Sequence, residues 1–532
     1  MEQRTLLAII LSLIVLFLYN SLFISTSYKP NSSTKTSQEI DNKEVKKISW
    51  VAQKTTPDKN FKRVNEKRLL LESPVILAEF SNIGGNLEKV FLKEFNYSPP
   101  LTNLVSIPEF DKKEFLVKEQ TQKNILLLYE DEKYKIEKRF TLLNNYLISS
   151  EIKVSGNLKI SEMDNFIIRN YKIEFSRMDN DRYLNGKLNP EDSLLEYSLA
   201  TIQGVFRKNN AHTYSPKERK EKEESIKWVG FRNRYFCVIV KPEYEMSGYT
   251  IGILNEHQLE ITSRIKNLAF QNDESQTFES KIFVGPQDLN LLKKYKMQFE
   301  EIMDFGWTDA IAKGILRGLN LIHQVIPNWG MCIIILSLVI YGITYPLTLK
   351  SMSSMKKMQA LQPEIKKIQE QNKNNLDKLN KETMELYKKH RMNPFGGCLP
   401  MFLQLPIFMA LYQVLWRSFT LKGKGFLWIK DLSEPDRLFI LPHSFPVLGN
   451  EINILPFFVV TALFFQQRVS MKSATFTNDP HQIAQQKMMT TLFPVMIGFF
   501  FYKIASGLSL YFSTFYFLST FTQWKMSKVK KL

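Results

Sequence analysis

The residues of this 532-residue chain that could do chemistry are isolated hydroxyl and amide side chains within apolar segments of its C-terminal part. A polar group in hydrocarbon costs free energy unless it has a partner, so such groups face either the interior of a helix bundle or water. Two explanations are open: hydrogen bonds between helices, worth about 0.6 to 2 kcal/mol per contact, and a water-filled groove. The groups belong to Ser337, Tyr341, Thr344, Gln404, Gln413, Ser509, Ser513 and Thr514.

Charged relays and metal-ligand patterns are missing from the same segments. They contain no Asp or Glu, and Lys503 lies at a segment edge, which argues against an ion channel or a proton-coupled transporter. Cys237, Cys332 and Cys398 fall in three separate segments and form no CxxC pair, which argues against a disulfide framework. The six His residues are scattered, without metal-ligand spacing. We therefore expect no catalytic residue, metal or cofactor.

Five apolar stretches must position the polar groups, and each predicts a membrane-spanning helix. A helix rises 1.5 Å per residue, so about 20 apolar residues cross a hydrocarbon layer roughly 30 Å thick. Two stretches are shorter, and only a tight turn at Ser506 and Gly507 separates the last two, which indicates a locally thinned bilayer. The stretches are residues 331–349, 399–416, 454–466, 488–502 and 508–521.

A further apolar run near the start predicts an N-terminal membrane anchor over residues 1–24. A cleaved signal peptide is the alternative, but Tyr19, Asn20 and Leu22 do not make a small-x-small cleavage site. Residues 25–60 are rich in Ser, Thr, Lys and Asn and bury too little apolar surface to fold, so they form a flexible tether.

Residues 61–303 combine short apolar runs with turn signals. Tyr171, Ile173 and Phe175 show the period of two that a half-buried strand requires. The region therefore predicts an antiparallel β-sandwich. A mixed-charge run at residues 217–224 predicts a solvated loop.

Residues 304–327 change to a helical period. Apolar residues recur on one face, which predicts a helix in the membrane interface before Trp329, although an ordinary core helix shows the same pattern. That face comprises Ile311, Ile315, Leu319, Ile322 and Ile326.

A basic helical hairpin over residues 350–397 separates the first two spans. Its apolar positions include Met355, Met358, Leu361 and Leu379. One interpretation is a solvated hairpin packed on itself. The other is a pliable, methionine-rich contact surface for nascent chains or another protein.

Charge predicts the orientation. Residues 350–391 contain eleven Lys or Arg against five Asp or Glu, and the tail, residues 525–532, is also basic, so both should be cytoplasmic. Five spans over residues 328–524 then place the β domain outside. The loop 417–451, with five basic and four acidic residues, is indecisive. The net charge of +18 follows from such basic loops, and DNA is not expected as a partner.

Ordered motifs over roughly residues 304–524 resemble those of the YidC/Oxa1/Alb3 membrane protein insertase family, and residues 61–303 are more loosely similar to the periplasmic domain of its Gram-negative members. The motifs are Asn328-Trp329-Gly330, Tyr345-Pro346-Leu347-Thr348, Met358-Gln359-Ala360-Leu361-Gln362-Pro363, Asn393-Pro394-Phe395-Gly396-Gly397-Cys398, Gln404-Leu405-Pro406-Ile407-Phe408, Phe493-Pro494-Val495, Ser506-Gly507-Leu508 and Leu510-Tyr511.

The resemblance implies an α+β membrane protein: an N-terminal transmembrane anchor, a periplasmic β-supersandwich, and a five-span α-helical insertase core with the cytoplasmic hairpin. It implies a multi-pass protein of the bacterial inner membrane, not an enzyme, that integrates and folds inner-membrane proteins through a hydrophilic groove open to cytosol and lipid. Implied partners are nascent membrane proteins, the Sec translocon and membrane lipids, with the ribosome and the signal recognition particle receptor as further candidates. The alternative is a solute transporter or lipid-handling protein with a ligand-binding outer domain.

The chain departs from the family at one position. Most members carry an Arg before the Gly that leads into the Tyr-Pro-Leu-Thr motif, whereas this chain has Tyr341 before Gly342. We hypothesise that uncharged hydrogen-bonding groups keep the groove hydrated here. The predicted groove residues are Ser337, Tyr341, Thr344, Gln404, Pro406, Ser509 and Tyr511.

Overall fold

The computed structural model describes most of the chain from residue 66 onward. The described residues are 66–99, 101–156, 163–174, 183–184, 187–188, 196–201, 203–209, 219–255, 258–268, 275–372, 375–390, 399–445, 449–472 and 491–529. The predicted anchor and tether lie outside them, as do Cys398 and the last three residues. The residues Val64–Leu532 form one compact unit.

The first half of the described chain is built from strands. In chain order they are β1 (Arg68–Glu72), β2 (Ile76–Ser81), β3 (Asn86–Leu92), β4 (Leu101–Thr102), β5 (Leu116–Gln120), β6 (Asn124–Glu130), β7 (Tyr134–Asn144), β8 (Leu147–Gly156), β9 (Met163–Glu174), β10 (Tyr183–Leu184), β11 (Lys187–Leu188), β12 (Glu196–Thr201), β13 (Gly204–Asn209), β14 (Arg219–Lys222), β15 (Ile226–Arg232), β16 (Phe236–Pro242), β17 (Gly248–Asn255), β18 (Gln258–Leu268) and β19 (Ser275–Pro286).

The strands form two large antiparallel sheets and smaller ones. The order in the nine-stranded sheet is β13-β12-β15-β16-β19-β8-β7-β6-β5, and in the five-stranded sheet β14-β17-β18-β9-β4, while β1, β2 and β3 form a sheet of their own. Alternate residues of β1 and β7 are buried, as expected for strands with one face on a core. Phe80 and Phe140 meet in that core with ring centroids 4.6 Å apart. The predicted β-rich domain is confirmed.

The prediction of a loop at residues 217–224 is wrong. Residues Arg219–Lys222 form β14, which pairs with β17 at the edge of the five-stranded sheet. Lys220, Glu221 and Lys222 are exposed, as predicted. A charged edge strand blocks pairing with other chains, and this is why a mixed-charge run occurs in a strand here.

The second half is mainly helical, which confirms the predicted helical C-terminal region. In chain order the helices are α1 (Leu289–Lys294), α2 (Asp309–Val325), α3 (Trp329–Ala360), α4 (Gln362–Gln371), α5 (Leu376–Lys389), α6 (Leu399–Arg417), α7 (Leu455–Lys472), α8 (Phe493–Phe501) and α9 (Ser506–Val529). Between α6 and α7 lies a hairpin of β20 (Phe439–Phe445) and β21 (Gly449–Ile452).

By length and composition, the described residues include one helix able to cross a membrane, the segment Trp329–Ser354 of α3. A shorter apolar helix covers Leu455–Val469. The number of five spans remains a prediction. Helix α3 continues beyond its apolar segment into the hairpin, where Pro363 stands in the first turn of α4, a position that needs no N–H donor.

Helix α2 packs its buried face against α3 and α6. Ala312, Ile315, Leu316 and Leu319 form that face. Its exposed side still carries large apolar residues, including Leu321 and Val325. Of the predicted apolar face, Ile315 and Leu319 pack against the protein, whereas Ile311 is exposed, and the position of this helix in a membrane interface stays a prediction.

Candidate functional site

Helices α3, α6 and α9 bring the predicted groove residues together. Helix α9 contacts α3, α6 and α7, and α3 also contacts α6. Helix α3 provides Ser337, Tyr341 and Thr344, α6 provides Gln404 and Pro406, and α9 provides Ser509 and Tyr511. Residues that are widely separated in sequence thus lie on three adjoining helices.

Two of the predicted tyrosines meet at one phenylalanine of α9. The Tyr341 ring packs edge-on against Phe515, with centroids 5.5 Å apart, and the Tyr511 ring stacks on Phe515 at 5.9 Å. Phe515 is buried and lies one helical turn after Tyr511. The sequence interpretation did not include Phe515, although its four-residue spacing from Tyr511 places both on one face of the helix.

Three side chains of this site bury polar atoms that lack hydrogen-bond partners among the described residues. They are the hydroxyl oxygens of Tyr341 and Tyr511 and the Nε2 atom of Gln404. The hydroxyl of Tyr511 faces the side chain of Gln404, and that of Tyr341 faces the side chain of Thr522 in α9, but neither contact reaches full hydrogen-bond geometry. An unsatisfied buried polar group costs about 1–3 kcal/mol. Such a cluster favours contact with water or with a polar group from another chain.

Several hydroxyl groups of serine and threonine in these helices, in contrast, have hydrogen-bond partners. Ser337 donates to the main-chain oxygen of Ile334 at 2.6 Å, and Thr344 donates to that of Ile340 at 2.9 Å. Ser513 likewise donates to the oxygen of Ser509 at 2.8 Å. Hydroxyl groups in helices commonly bond the preceding turn in this way. These hydroxyls are therefore occupied within their own helices.

A hydrogen bond between helices does occur elsewhere. Gln466 of α7 donates to the hydroxyl of Ser519 in α9 at 3.1 Å. Gln413 of α6 donates to the main-chain oxygen of Phe305 at 3.2 Å, and so ties α6 to the segment before α2. Gln413 thus fits the explanation by hydrogen bonding within the protein, whereas the water-filled groove stays a prediction.

Two helix-breaking features lie beside the unpaired groups. Pro406 interrupts α6, and Pro346 interrupts α3, so each removes one main-chain donor and frees a carbonyl group one turn earlier. For Pro346 that carbonyl belongs to Gly342. Apart from its chain neighbours and the backbone of its own helix, no described residue has a heavy atom within 4 Å of a methyl group placed on Gly342. Space is therefore open beside Tyr341.

The predicted hairpin contacts have different environments. Leu361 is buried, as is Ile365, so both belong to the packing of the hairpin itself. Met358 and Leu379 are half-buried. The side chain of Met355 lies outside the described residues. Asn372 after α4 donates to Glu382 of α5 at 2.7 Å and closes the hairpin.

The β domain contacts the ends of the same helices. Arg234, in the turn between β15 and β16, donates to the main-chain oxygen of Trp416 at 2.8 Å and to Glu434 at 2.7 Å. Glu434 follows α6, and its main-chain oxygen accepts a 2.7 Å hydrogen bond from Ser506 at the start of α9. Leu432 accepts similarly from Gly507 at 2.9 Å. One turn of the β domain is thus linked to both α6 and α9.

Two family descriptions match this chain. Residues 321–531 match the family described as 60Kd inner membrane protein, and residues 108–317 match the one described as YidC periplasmic domain.

Full-length relatives are also found. The chain is 30% identical to a membrane protein insertase YidC of Geotalea uraniireducens, over 96% of each chain. It is 28% identical to one of Chloroherpeton thalassium, over 97% of this chain and 94% of the relative. Among solved structures, a crystal structure of an active YidC insertase with its first transmembrane domain resolved aligns with 86% of this chain and 92% of that chain, at 17% identity and a TM-score of 0.35.

Proposed function

This chain belongs to the YidC family of membrane protein insertases, and from that premise we propose that α3, α6 and α9 line the path by which a client polypeptide enters the bilayer. The chain is a membrane protein insertase of the inner membrane, and insertases of this family are not enzymes. Function therefore depends on how the helices solvate a moving chain and involves no bond-breaking step.

The unpaired atoms of Tyr341, Gln404 and Tyr511 are the observation that carries the proposal. A client crossing hydrocarbon must bury main-chain N–H and C=O groups, and each costs several kcal/mol if it is left without a partner. Two hydroxyls and one amide offer both donors and acceptors to such groups, directly or through water. The site lowers the cost of transfer without a formal charge.

The absence of the family's Arg fits this chemistry. Tyr341 occupies that position, and its ring is held by Phe515. A buried cation would favour acidic client segments, whereas a hydroxyl accepts and donates without selecting a charge. We infer that clients of this protein are chosen by hydrogen-bonding capacity and by apolar spans rather than by acidic residues.

The basic hairpin supports a cytoplasmic entrance. Helix α3 leads from the site into α4 and α5, and residues 350–391 carry eleven Lys or Arg against five Asp or Glu. We infer that this end of α3 is cytoplasmic and that the β domain is periplasmic. The same proposal includes a five-span core and the N-terminal anchor. It also includes three partners, with the hairpin as the contact surface: the Sec translocon, the ribosome and the signal recognition particle receptor.

The test replaces hydroxyl groups while keeping the rings. The double variant Tyr341→Phe and Tyr511→Phe is expressed in cells depleted of their own insertase, and integration of a newly made single-span client is measured by protease protection. We expect about tenfold less integration, the factor that corresponds to about 1.4 kcal/mol.

Tyr345→Phe is the matched control, because Tyr345 lies one turn further on α3 and is exposed. Removing unpaired hydroxyls should leave thermal stability intact, so loss of function would not reflect misfolding. Integration equal to wild type in the double variant would contradict the proposed site.

A further inference from the structure

The segment between α6 and α7 carries an unusual set of exposed apolar residues. We call residues 418–453 the outer loop. Within it, Leu427 is 74% exposed, Phe439 61% and Ile440 67%, and Trp428 is also exposed. Phe457 and Phe458, at the start of α7, continue the same exposed set, and the Trp428 and Phe458 rings lie 6.3 Å apart.

A tight turn places two of these residues at its tip. Phe426 and Ile429 exchange two main-chain hydrogen bonds of 2.9 Å, so Leu427 and Trp428 alone connect them. Two-residue turns of this kind favour Gly, Asn or Asp, because the tip requires positive φ. Leu427 adopts φ +53° nevertheless. An apolar residue thus occupies a strained and exposed position that small or polar residues fit better.

The tip is held in a fixed orientation. A methyl group placed on Gly330, at the start of α3, would lie 2.0 Å from the ring of Phe426, so the ring packs directly on the helix backbone. Ile429 is buried. The indole Nε1 of Trp428 donates to Asp436 at 3.4 Å. The exposure of Leu427 is therefore imposed by the surrounding structure.

The charges of the outer loop are arranged around this tip. Asp436 accepts from the main-chain N–H groups of Ile454 and Leu455 at 2.8 and 3.1 Å, and Arg437 pairs with Glu451 at 3.1 Å. The carboxylates of Asp436 and Glu451 therefore have partners within the protein.

The lysines at the tip differ. Lys424 and Lys430 flank the turn on either side, are exposed, and form no ion pair of 4 Å or less with the described carboxylates. An apolar tip between free cations is the arrangement of a segment that inserts between phospholipid headgroups.

We propose that the tip of the outer loop is embedded in the outer leaflet of the bilayer, with Leu427 and Trp428 at the level of the glycerol and upper acyl chains and with Lys424 and Lys430 at the lipid phosphates. Phe439 and Ile440 enter the same layer beside the start of α7. The occupant of this surface is phospholipid, because the surface continues the exposed Phe457 and Phe458 of an apolar helix. The inference rests on the orientation proposed above.

The experiment measures where the tip lies. Leu427→Cys and Ile440→Cys are made in the full chain with Cys398→Ser, and a bimane fluorophore is attached. Cys237 and Cys332 are buried and stay unlabelled. In liposomes of phosphatidylethanolamine and phosphatidylglycerol, quenching by a lipid spin-labelled on its upper acyl chain is compared with quenching by aqueous iodide.

Leu116→Cys is the matched control, since Leu116 is 59% exposed on β5 of the β domain. We expect lipid quenching at 427 and 440 to exceed that at 116 by about threefold or more, and iodide quenching to be lower by a similar factor. Iodide quenching equal to that at 116 would overturn the proposal. Protection from both quenchers would also overturn it, because a protein would then cover the surface.

The variant Phe465→Cys distinguishes a failure of this inference from a failure of the proposed function. Phe465 is exposed on α7 and should be quenched by lipid if the helical core is embedded at all. Lipid quenching at 465 without quenching at 427 would reject only the outer-loop proposal. Absence of lipid quenching at both would reject the membrane arrangement itself.

A second variant tests the same idea without a fluorophore. Leu427→Asn suits a positive φ and should leave the thermal midpoint in detergent unchanged or higher. The extra stability that the wild type gains on transfer to liposomes should be smaller in this variant. An equal gain in both proteins would contradict insertion of the tip.

Discussion

Arg234 of the β domain donates from Nε to the main-chain oxygen of Trp416, 2.8 Å away, although the two residues are 182 positions apart in sequence. The guanidinium also lies 4.8 Å from the Trp416 ring and pairs with Glu434. A cation at the C-terminal end of α6 satisfies a free carbonyl and complements the helix dipole. This contact fixes the β domain to the helical core.

Arg234→Ala should therefore destabilise the protein strongly. Removal of one partner from a buried ion pair costs up to about 3–5 kcal/mol, and among the described residues Glu434 would keep only its 3.5 Å ion pair with Arg437. The thermal midpoint of the purified chain in detergent is the measurement. Arg68→Ala is the control, because Arg68 pairs with Glu79 at the surface and such pairs contribute about 1 kcal/mol or less. Equal midpoints for the two variants would contradict the assigned role of Arg234.

Lys138 should make the stability of the β domain depend on pH. Its ammonium group is buried and donates to the main-chain oxygen of Gly84 at 2.7 Å and to Asn86 at 2.9 Å. Burial lowers the pKa of Lys138 to about 7, against the opposing effect of Asp111 and with a further contribution from Arg169. The unfolded chain has the ordinary lysine pKa of about 10.4.

Between these two pKa values the unfolded state binds more protons than the folded state, so stability rises with pH. The slope is about 1.4 kcal/mol per pH unit from about pH 7 to about pH 10, and it vanishes below the folded pKa. The measurement is the difference in unfolding free energy between wild type and Lys138→Met at several pH values. A difference independent of pH would show that Lys138 does not titrate in this range.

Tyr341→Arg should be tolerated, because the side chain is half-buried beside the open space at Gly342. A long cationic side chain can extend its charge toward water there. We expect integration of clients within about threefold of wild type, with a gain for clients that carry acidic segments. Leu336→Arg is the control, since Leu336 is buried in the core and an unpaired charge there prevents folding. Loss of function in both variants alike would show that the position is closed.

Gly330→Ala and Gly342→Ala should have opposite effects. The added methyl group at Gly330 meets the Phe426 ring at 2.0 Å, so α3 and the outer loop must separate. At Gly342 it meets no described atom within 4 Å beyond its chain neighbours and its own helix backbone, and Ala favours the helix by up to about 1 kcal/mol. Thermal midpoints in detergent distinguish the two. A lower midpoint for Gly342→Ala would show that a neighbour fills that space.

The sequence predicted features that repeat with a regular period. Strand alternation around Tyr171 predicted the β-rich domain, and the helical period in residues 304–327 predicted α2. An element with one buried face has an apolar residue at every second position of a strand, or at every third to fourth position of a helix. The edge strand at Arg219–Lys222 was not predicted, since both of its faces are charged and solvent-exposed. No apolar period existed there to be recognised.

Features that depend on which residues are close in three dimensions were harder to predict from the sequence. The hydroxyl of Ser337 bonds its own helix, while that of Tyr341 does not, and the sequence places both in the same apolar segment. The length of the side chain explains the difference. The short serine side chain can bond the main chain of the preceding turn, whereas the hydroxyl of a tyrosine lies too far from it. The role of Arg234 was hidden because its partners lie far along the chain.

The hydrogen bonds from Ser506 and Gly507 to the outer loop have a mechanical consequence. The end of α9 nearest the β domain is bonded to the outer loop and that of α6 is bonded to Arg234, so we expect these two groove helices to separate mainly at their far ends. A client chain in the proposed groove would then find the gap widest at those far ends and narrowest beside the β domain. We expect this arrangement to disfavour translocation of long hydrophilic stretches and to favour sideways release into lipid.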